Sequence, residues 1–328
     1  MMTGVQKGAA GMRQIVVTDA ATVIGDGVTL DFLKPLGPVT VYDDTKPEEL
    51  AGRIAPAELV LCNKTVITGE AMAAAPGLRY IGLFATGYNN IDLEAAHARG
   101  ITVCNVPGYS TEAVAQHTVA LLLALLNRVG EYDRTVAAGD WIRSRTFSYF
   151  PLPTAELAGK TMGIVGYGAI GRRVAEIARA FHMTVLVCGR HPIADPGVTQ
   201  VPLETLLERA DVVSLHCPLN EDSRGMMDAA AFARMKPGAL VLNTARGGLV
   251  DERALREALD SGHLGGAGVD VLCTEPMAPD CPLYGAPRCR ITPHIAWAGV
   301  ETRQRLMRVV EDNIRAFLAG TPMNRVTE

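Results

Sequence analysis

The sequence predicts an α/β protein of two doubly wound parallel-sheet domains, the second inserted into the first. Three observations carry that expectation. Short β-branched runs alternate with helical stretches along most of the chain, the pattern that produces parallel strands covered on both faces by crossover helices. The alternation comes in two runs, one reaching to about residue 105 and one starting near residue 160. A lone helical stretch follows the second run, and it is placed back on the first domain.

In order, strands are expected at 15–18, 40–42, 59–61, 80–84 and 101–104, with helices such as 71–75 and 93–99 between them. Asn105-Val-Pro-Gly-Tyr109 then marks a hinge, because Pro and Gly interrupt regular structure. The next helix, near 110–129, contains the longest apolar run, Val119-Ala-Leu-Leu-Leu-Ala-Leu-Leu126. That run is far shorter than the roughly twenty residues needed to span a bilayer, so it reads as a buried helix. Residues 141–158 read as irregular, with Arg143, Arg145, Phe147, Tyr149 and Phe150 close together. Six further strands are expected at 161–165, 184–187, 212–215, 240–243, 266–271 and 290–292. A final helix at 301–318 has apolar positions 306, 309, 310, 314, 317 and 318. The domains are therefore 1–105 with 299–328, and 106–298, with a second hinge at Ala298 and Gly299. The first twelve residues lack the apolar core of a signal peptide and read as a loose start.

Composition narrows the function classes. The 328 residues are 48% hydrophobic and 20% charged, with a net charge of −4. A weakly acidic chain with no Lys/Arg cluster has no electrostatic footprint for nucleic acid. The seven cysteines (62, 104, 188, 217, 273, 281 and 289) form no C-x-x-C pair and fall in or beside apolar segments. Neither a disulfide framework nor a metal site is expected, and the reduced cytoplasm is the natural setting, away from membranes.

Gly166-Tyr-Gly168-Ala-Ile-Gly171 follows a predicted strand and opens a helix. In that context the three glycines have separate tasks: a tight turn, backbone approach to a pyrophosphate, and close helix–strand packing. The second domain is thus expected to be a Rossmann dinucleotide-binding domain, with phosphates at the helix N-terminus. An acid commonly found about twenty residues further on would bind the ribose hydroxyls. Gly189 stands there instead, followed by Arg190 and His191. Loss of the carboxylate removes repulsion toward a 2′-phosphate, and the two basic residues add attraction. The pattern favours NADP(H), with NAD(H) bound through other contacts as the alternative.

Three segments, Asn243-Thr-Ala-Arg246-Gly-Gly, Gly268-Val-Asp270-Val-Leu-Cys-Thr-Glu275-Pro and Thr292-Pro-His294-Ile-Ala-Trp297, resemble the D-isomer-specific 2-hydroxyacid dehydrogenase family. Further matches are Ala85-Thr-Gly87-Tyr-Asn-Asn-Ile-Asp92, Val114-Ala-Gln-His-Thr-Val-Ala-Leu-Leu and Ala210-Asp-Val-Val-Ser-Leu-His-Cys-Pro218-Leu. The resemblance covers nearly the whole chain and is nearest the glycerate dehydrogenase and hydroxypyruvate reductase group. It implies that the first domain is a smaller, flavodoxin-like substrate domain. It also implies a catalytic set of Arg246, Glu275 and His294. Reducing a 2-oxo acid requires a hydride donor, a proton for the carbonyl oxygen and a cation for the carboxylate. An imidazole can give the proton near neutrality. A carboxylate on its other nitrogen can hold its orientation, and a guanidinium can grip carboxylate and carbonyl oxygens with a planar fork.

The resemblance further implies cofactor contacts at Ile170, Arg172, Pro218, Ser223 and Asp270, beside the glycines, Gly189 and Arg190. Substrate contacts fall at Thr86, Gly87, Arg246 and His294. Asn63-Lys64-Thr65 departs from a frequent Arg-Ser pattern, and Gln116 replaces a common Glu; with His117 it reads as packing at a domain or subunit contact. A homodimer through the 110–129 helix and the following segment is expected, as is closure of the two domains on ligands. The expected substrate is a small 2-oxo or 2-hydroxy acid such as hydroxypyruvate or glyoxylate. A bulkier 2-oxo acid, or a dinucleotide-sensing role like that of the related corepressors, are the alternatives.

Overall fold

A computed structural model describes residues 13–326; the loose start expected at 1–12 lies outside them. The chain forms two compact units. One runs to Ser110 and resumes at Ala298, and the other spans Thr111–Trp297.

In the first unit, β1 (Ile15–Val17), β2 (Val39–Val41), β3 (Leu59–Cys62), β4 (Tyr80–Leu83) and β5 (Thr102–Cys104) form one parallel sheet in the order β2-β1-β3-β4-β5. Every residue of β1, β3 and β4 is buried. Their sequences are therefore continuous apolar runs rather than alternating ones, as a sheet covered on both faces requires. Helices α1 (Pro47–Ile54), α2 (Gly69–Ala73) and α3 (Leu93–Ala98) make the crossovers. Thr68 and Asp92 start the latter two by accepting from the N–H groups of Ala71 and Ala95. This strand order is the flavodoxin-like arrangement.

The second unit opens with α4 (Thr111–Asn127) and α5 (Val129–Ala137). The sheet then forms from β6 (Thr161–Val165), β7 (Thr184–Cys188), β8 (Thr199–Gln200), β9 (Val212–Leu215), β10 (Leu240–Asn243), β11 (Gly266–Val269) and β12 (Cys289–Ile291). Helices α6 (Ala169–Ala180), α7 (Leu203–Arg209), α8 (Ala229–Arg234) and α9 (Glu252–Asp260) lie between them. All neighbours are parallel, in the order β12-β11-β10-β9-β6-β7-β8. Counted within the unit this is 3-2-1-4-5-6-7, the Rossmann order with one more strand, and its reversal falls between β6 and β9.

The structure corrects the element reading in three places. The long helix stops at Asn127, because Arg128 takes a left-handed conformation (φ 52°) and the chain bends by 52° into α5. No residue of α5 is buried, so it left no clear apolar stripe to read. The sheet has a seventh strand, β8, whose two residues are too short to show alternation. In α10 (Val300–Leu318), back in the first unit, the buried face is 302, 303, 306, 307, 310, 313 and 314 rather than one that includes Val309. Phe317 stacks obliquely on Tyr80 of β4 at 4.9 Å, and buried Arg303 reaches the carbonyls of Ile24 and Gly25 and the carboxylate of Asp26. Among the described residues no single helix is long and apolar enough to cross a membrane.

Candidate active site

The carboxyl ends of β6 and β9 meet at the strand-order reversal, where open α/β sheets bind ligands. Gly166 ends β6 with φ 94°, and a methyl there would strike the backbone of His216 and Cys217 beyond β9. A side chain on Gly171 would strike the Gly166 carbonyl, whereas a Cβ on Gly168 would meet nothing within 4 Å. The cradle is thus open on one side only. Gly168 caps α6 without any side chain, and no acid stands in that helix's first turn. The first N–H groups and the positive end of the helix dipole are left for an anion. These features fit the pyrophosphate of a dinucleotide. Beneath the cradle His216 is half-buried with Nε2 2.8 Å from Ser214 Oγ, and burial lowers its pKa to about 4, so it adds no charge there.

Gly189 follows β7, and its added Cβ would make only ordinary contact with Ile193 Cδ1 at 3.4 Å. Gln200 pins this loop: its Nε2 donates to the carbonyls of Gly189 and His191, and its Oε1 accepts from Ile193 N. Nothing in the sequence had marked Gln200, because its role comes from pairing β8 with β7. Arg190 is exposed on the pinned loop. Arg172, also exposed, lies over the Tyr167 ring at 5.3 Å and donates from Nε to the Tyr167 carbonyl. Ile170 lies in the first turn of α6, and Pro218 follows β9. The Ser223 hydroxyl donates to the Pro218 carbonyl and accepts from Asn220 N. Its one proton is therefore committed within the loop. Ser223, expected beside the cofactor, thereby also shapes the Pro218 turn.

Arg246, Glu275 and His294 follow β10, β11 and β12, at the same edge of the sheet. Asn243 folds the first of these turns, donating to the Arg246 carbonyl and accepting from Ala245 N. The Arg246 side chain is exposed apart from one bond to the Ala245 carbonyl. Gly247, next in sequence, packs so closely on the Leu272–Cys273 peptide that any side chain would overlap it. This contact binds the Arg246 turn to the loop carrying Glu275. Glu275 Oε1 accepts from Leu272 N at 2.9 Å, and Oε2 lies 2.6 Å from His294 Nδ1. The imidazole is oriented through Nδ1, leaving Nε2 as its other polar atom. Trp297 Nε1 donates to the His294 carbonyl.

The His294 turn is wound round Asp270. The N–H groups of His294, Ile295 and Ala296 end respectively on its carbonyl oxygen (2.8 Å), Oδ1 (2.9 Å) and Oδ2 (2.8 Å). Successive N–H groups of this kind form an anion-binding concavity, here filled by the chain's own carboxylate. His294 has φ 56°. A left-handed residue costs roughly 1–2 kcal/mol, and charge-assisted hydrogen bonds of about 1.5–3 kcal/mol each offset it. The Asp270 side chain has no exposed surface. This carboxylate, at a position expected beside the cofactor, holds the His294 turn.

In the first unit, Thr86 Oγ1 donates to the Val106 carbonyl and Asn105 Nδ2 to the Thr86 carbonyl, which fixes the exposed Thr86–Gly87 turn. Asp19, unmarked by the sequence reading, accepts from the N–H groups of Asn63, Lys64 and Thr65. The Asn63-Lys64-Thr65 segment is thereby held by a buried carboxylate at the end of β1.

A family model described as the NAD-binding domain of D-isomer-specific 2-hydroxyacid dehydrogenases matches residues 119–296. The hydroxypyruvate reductase of Blautia hydrogenotrophica is 40% identical over 96% of this chain and 100% of its own length. The glycerate dehydrogenase of Methylorubrum extorquens is 42% identical over 87% of this chain and 90% of its own. Among solved structures, the NADPH-dependent glyoxylate/hydroxypyruvate reductase of Sinorhizobium meliloti, bound to NADP and malonate, superposes with a TM-score of 0.84 at 28% identity, covering 96% of this chain and 97% of that one. Agreement over nearly the full length, in both sequence and fold, makes this chain a member of the D-isomer-specific 2-hydroxyacid dehydrogenase family, close to its glycerate dehydrogenases and hydroxypyruvate reductases.

Proposed function

We propose that this protein reduces a small 2-oxo acid, hydroxypyruvate or glyoxylate, to the corresponding 2-hydroxy acid. The observation that carries the reading is the 2.6 Å contact between His294 Nδ1 and Glu275 Oε2, beside the Arg246 turn. A nicotinamide dinucleotide, held by Gly166, Gly168, Ile170, Gly171, Arg172 and the Pro218 turn, supplies hydride chemistry when bound. His294 donates the proton that the carbonyl oxygen needs as C2 is reduced, and takes it back in the reverse direction. Glu275 keeps the ring aimed. Arg246 offers a planar pair of donors to the carboxylate and carbonyl oxygens.

The test is oxidation of NADPH and NADH with a panel of 2-oxo acids, run beside His294→Gln. Hydroxypyruvate and glyoxylate are expected to lead the panel. Loss of a general acid costs ~10²–10⁴-fold, so His294→Gln should lose turnover by that factor while still binding dinucleotide. Unchanged turnover in the variant would remove His294 from the chemistry, and preference for a branched or aromatic 2-oxo acid would displace the substrate assignment.

Three finer assignments belong to the same reading. NADP(H) is preferred, on the strength of Gly189 and the exposed Arg190. The active form is a homodimer, supported by the run of exposed apolar side chains that follows α5: Trp141 at 52%, Ile142 at 88%, Phe147 at 92% and Phe150 at 85%. Large apolar patches of this kind mark interaction surfaces, and a second copy is the occupant assigned here. The setting is cytoplasmic, supported by seven cysteines that are all free.

A further inference from the structure

The Asp270 carboxylate that holds the His294 turn is itself held by a residue of α4. Thr292 Oγ1 donates to Asp270 Oδ1 at 2.6 Å. A hydroxyl has one proton, so the remaining contact of Thr292 Oγ1, to His117 Nε2 at 2.9 Å, must be one that it accepts. His117 Nε2 therefore carries a hydrogen directed at Thr292, and it lies 3.5 Å from Asp270 Oδ1. The next residue on α4 does the same for a second strand. Thr118 Oγ1 gives its proton to the Val114 carbonyl and so accepts from Thr244 Oγ1 at 2.8 Å, two residues before Arg246.

We propose that His117 is a positioning residue that, through Thr292 and Asp270, fixes the turn aiming His294. The inference rests on the acid role given to His294 above. It goes beyond simple packing of His117, because the chain of bonds is directional. An N–H at Nε2 sets the Thr292 hydroxyl, that hydroxyl selects one oxygen of Asp270, and the Ile295 N–H binds the same oxygen. With no exposed surface on the Asp270 side chain, no solvent molecule replaces a missing partner without opening the turn. A small misplacement of a reacting group costs up to roughly 10²-fold in rate.

Two variants cut the chain while keeping shape: His117→Leu removes the N–H, and Thr292→Val removes the hydroxyl alone. Each is expected to lower kcat roughly tenfold or more with dinucleotide affinity unchanged. His117→Gln returns an N–H near the Nε2 position, and Thr292→Ser returns the hydroxyl; both should recover most of kcat. The double variant His117→Leu/Thr292→Val should be no slower than the worse single one, because both act through one path. If His117→Leu fails to fold, Thr292→Val and its rescue by Thr292→Ser decide. Wild-type kcat in the cut variants, or equal impairment of His117→Leu and His117→Gln, overturns the proposal, since packing alone would then account for the residue. His294→Gln separates this from the parent reading: if it is inactive while His117→Leu and Thr292→Val are normal, only the positioning role falls. If His294→Gln turns over normally, the acid assignment falls.

Discussion

Gly189 and His216 show how one side chain sets a measurable property of this molecule. Gly189 does not have a left-handed backbone, and a Cβ there meets only Ile193 at ordinary distance. An aspartate can therefore be introduced without strain. Gly189→Asp should shift kcat/KM toward NADH, since its carboxylate accepts from ribose hydroxyls and repels a 2′-phosphate. Arg190→Ala should weaken NADPH more than NADH. Side-by-side kcat/KM values for both dinucleotides check this, and an unmodified enzyme that prefers NADH, with NADPH use indifferent to Arg190→Ala, would end the charge argument. His216 makes a pH prediction. Burial holds its folded-state pKa at about 4 against 6.5 in the open chain. Between these values the unfolded chain binds a proton that the folded one does not, so stability falls as pH drops from about 6.5 toward 4. The full effect is on the order of 3 kcal/mol. Thermal melts across that window should show a shallower loss for His216→Gln, and parallel curves would contradict the assignment.

At the scale of elements, the site depends on how loops at the carboxyl ends of neighbouring strands touch. β10 and β11 are adjacent, so their following loops emerge side by side, and Gly247 lets the first lie against the Leu272–Cys273 peptide of the second. Gly247→Ala forces a methyl into backbone atoms that cannot rotate away. The expected cost is about 1–3 kcal/mol of stability, with a larger loss of kcat than of dinucleotide affinity, because the Arg246 turn and the Glu275 loop move apart while the Gly166 cradle lies elsewhere. Melting temperature and kcat measured together check it; an alanine variant with unchanged values of both would show that the loops have slack.

For the whole molecule, the segment after α5 presents large apolar groups to solvent in a single chain. Replacing Phe147 and Phe150 with serine together should shift the particle from dimer to monomer mass in light scattering at micromolar concentration. A monomeric unmodified protein, or a dimer untouched by the double change, would place the interface elsewhere. The double winding of the chain has its own consequence. α10 returns to the first unit, with Asn313 donating to the Asn105 carbonyl and Arg303 to Ile24 and Gly25. The first unit is therefore complete only when the last stretch of the chain is present.

Much of this was written in local sequence. Fully buried parallel strands appear as largely apolar runs, so β3, β4, β9 and β10 could be read directly, the last two despite Ser214 and Asn243, and the glycine spacing at 166, 168 and 171 carried the cofactor cradle. The placing of Arg246, Glu275 and His294 at one edge of the sheet was legible because each stands just past a strand within a recognisable segment. What sequence could not express was any role created by a neighbour distant in the chain. Gln200 matters because β8 pairs with β7, Gly247 because its backbone meets residue 272, and Asp19 because β3 ends beside β1. The same holds for the bonds by which Asp270 holds the His294 turn, and for His117, which reads as helix packing until Thr292 and Asp270 are found against it. Periodicity and motif record what a residue does for its own element; hydrogen-bond direction and burial depend on which elements the fold places side by side, and only the tertiary structure decides that.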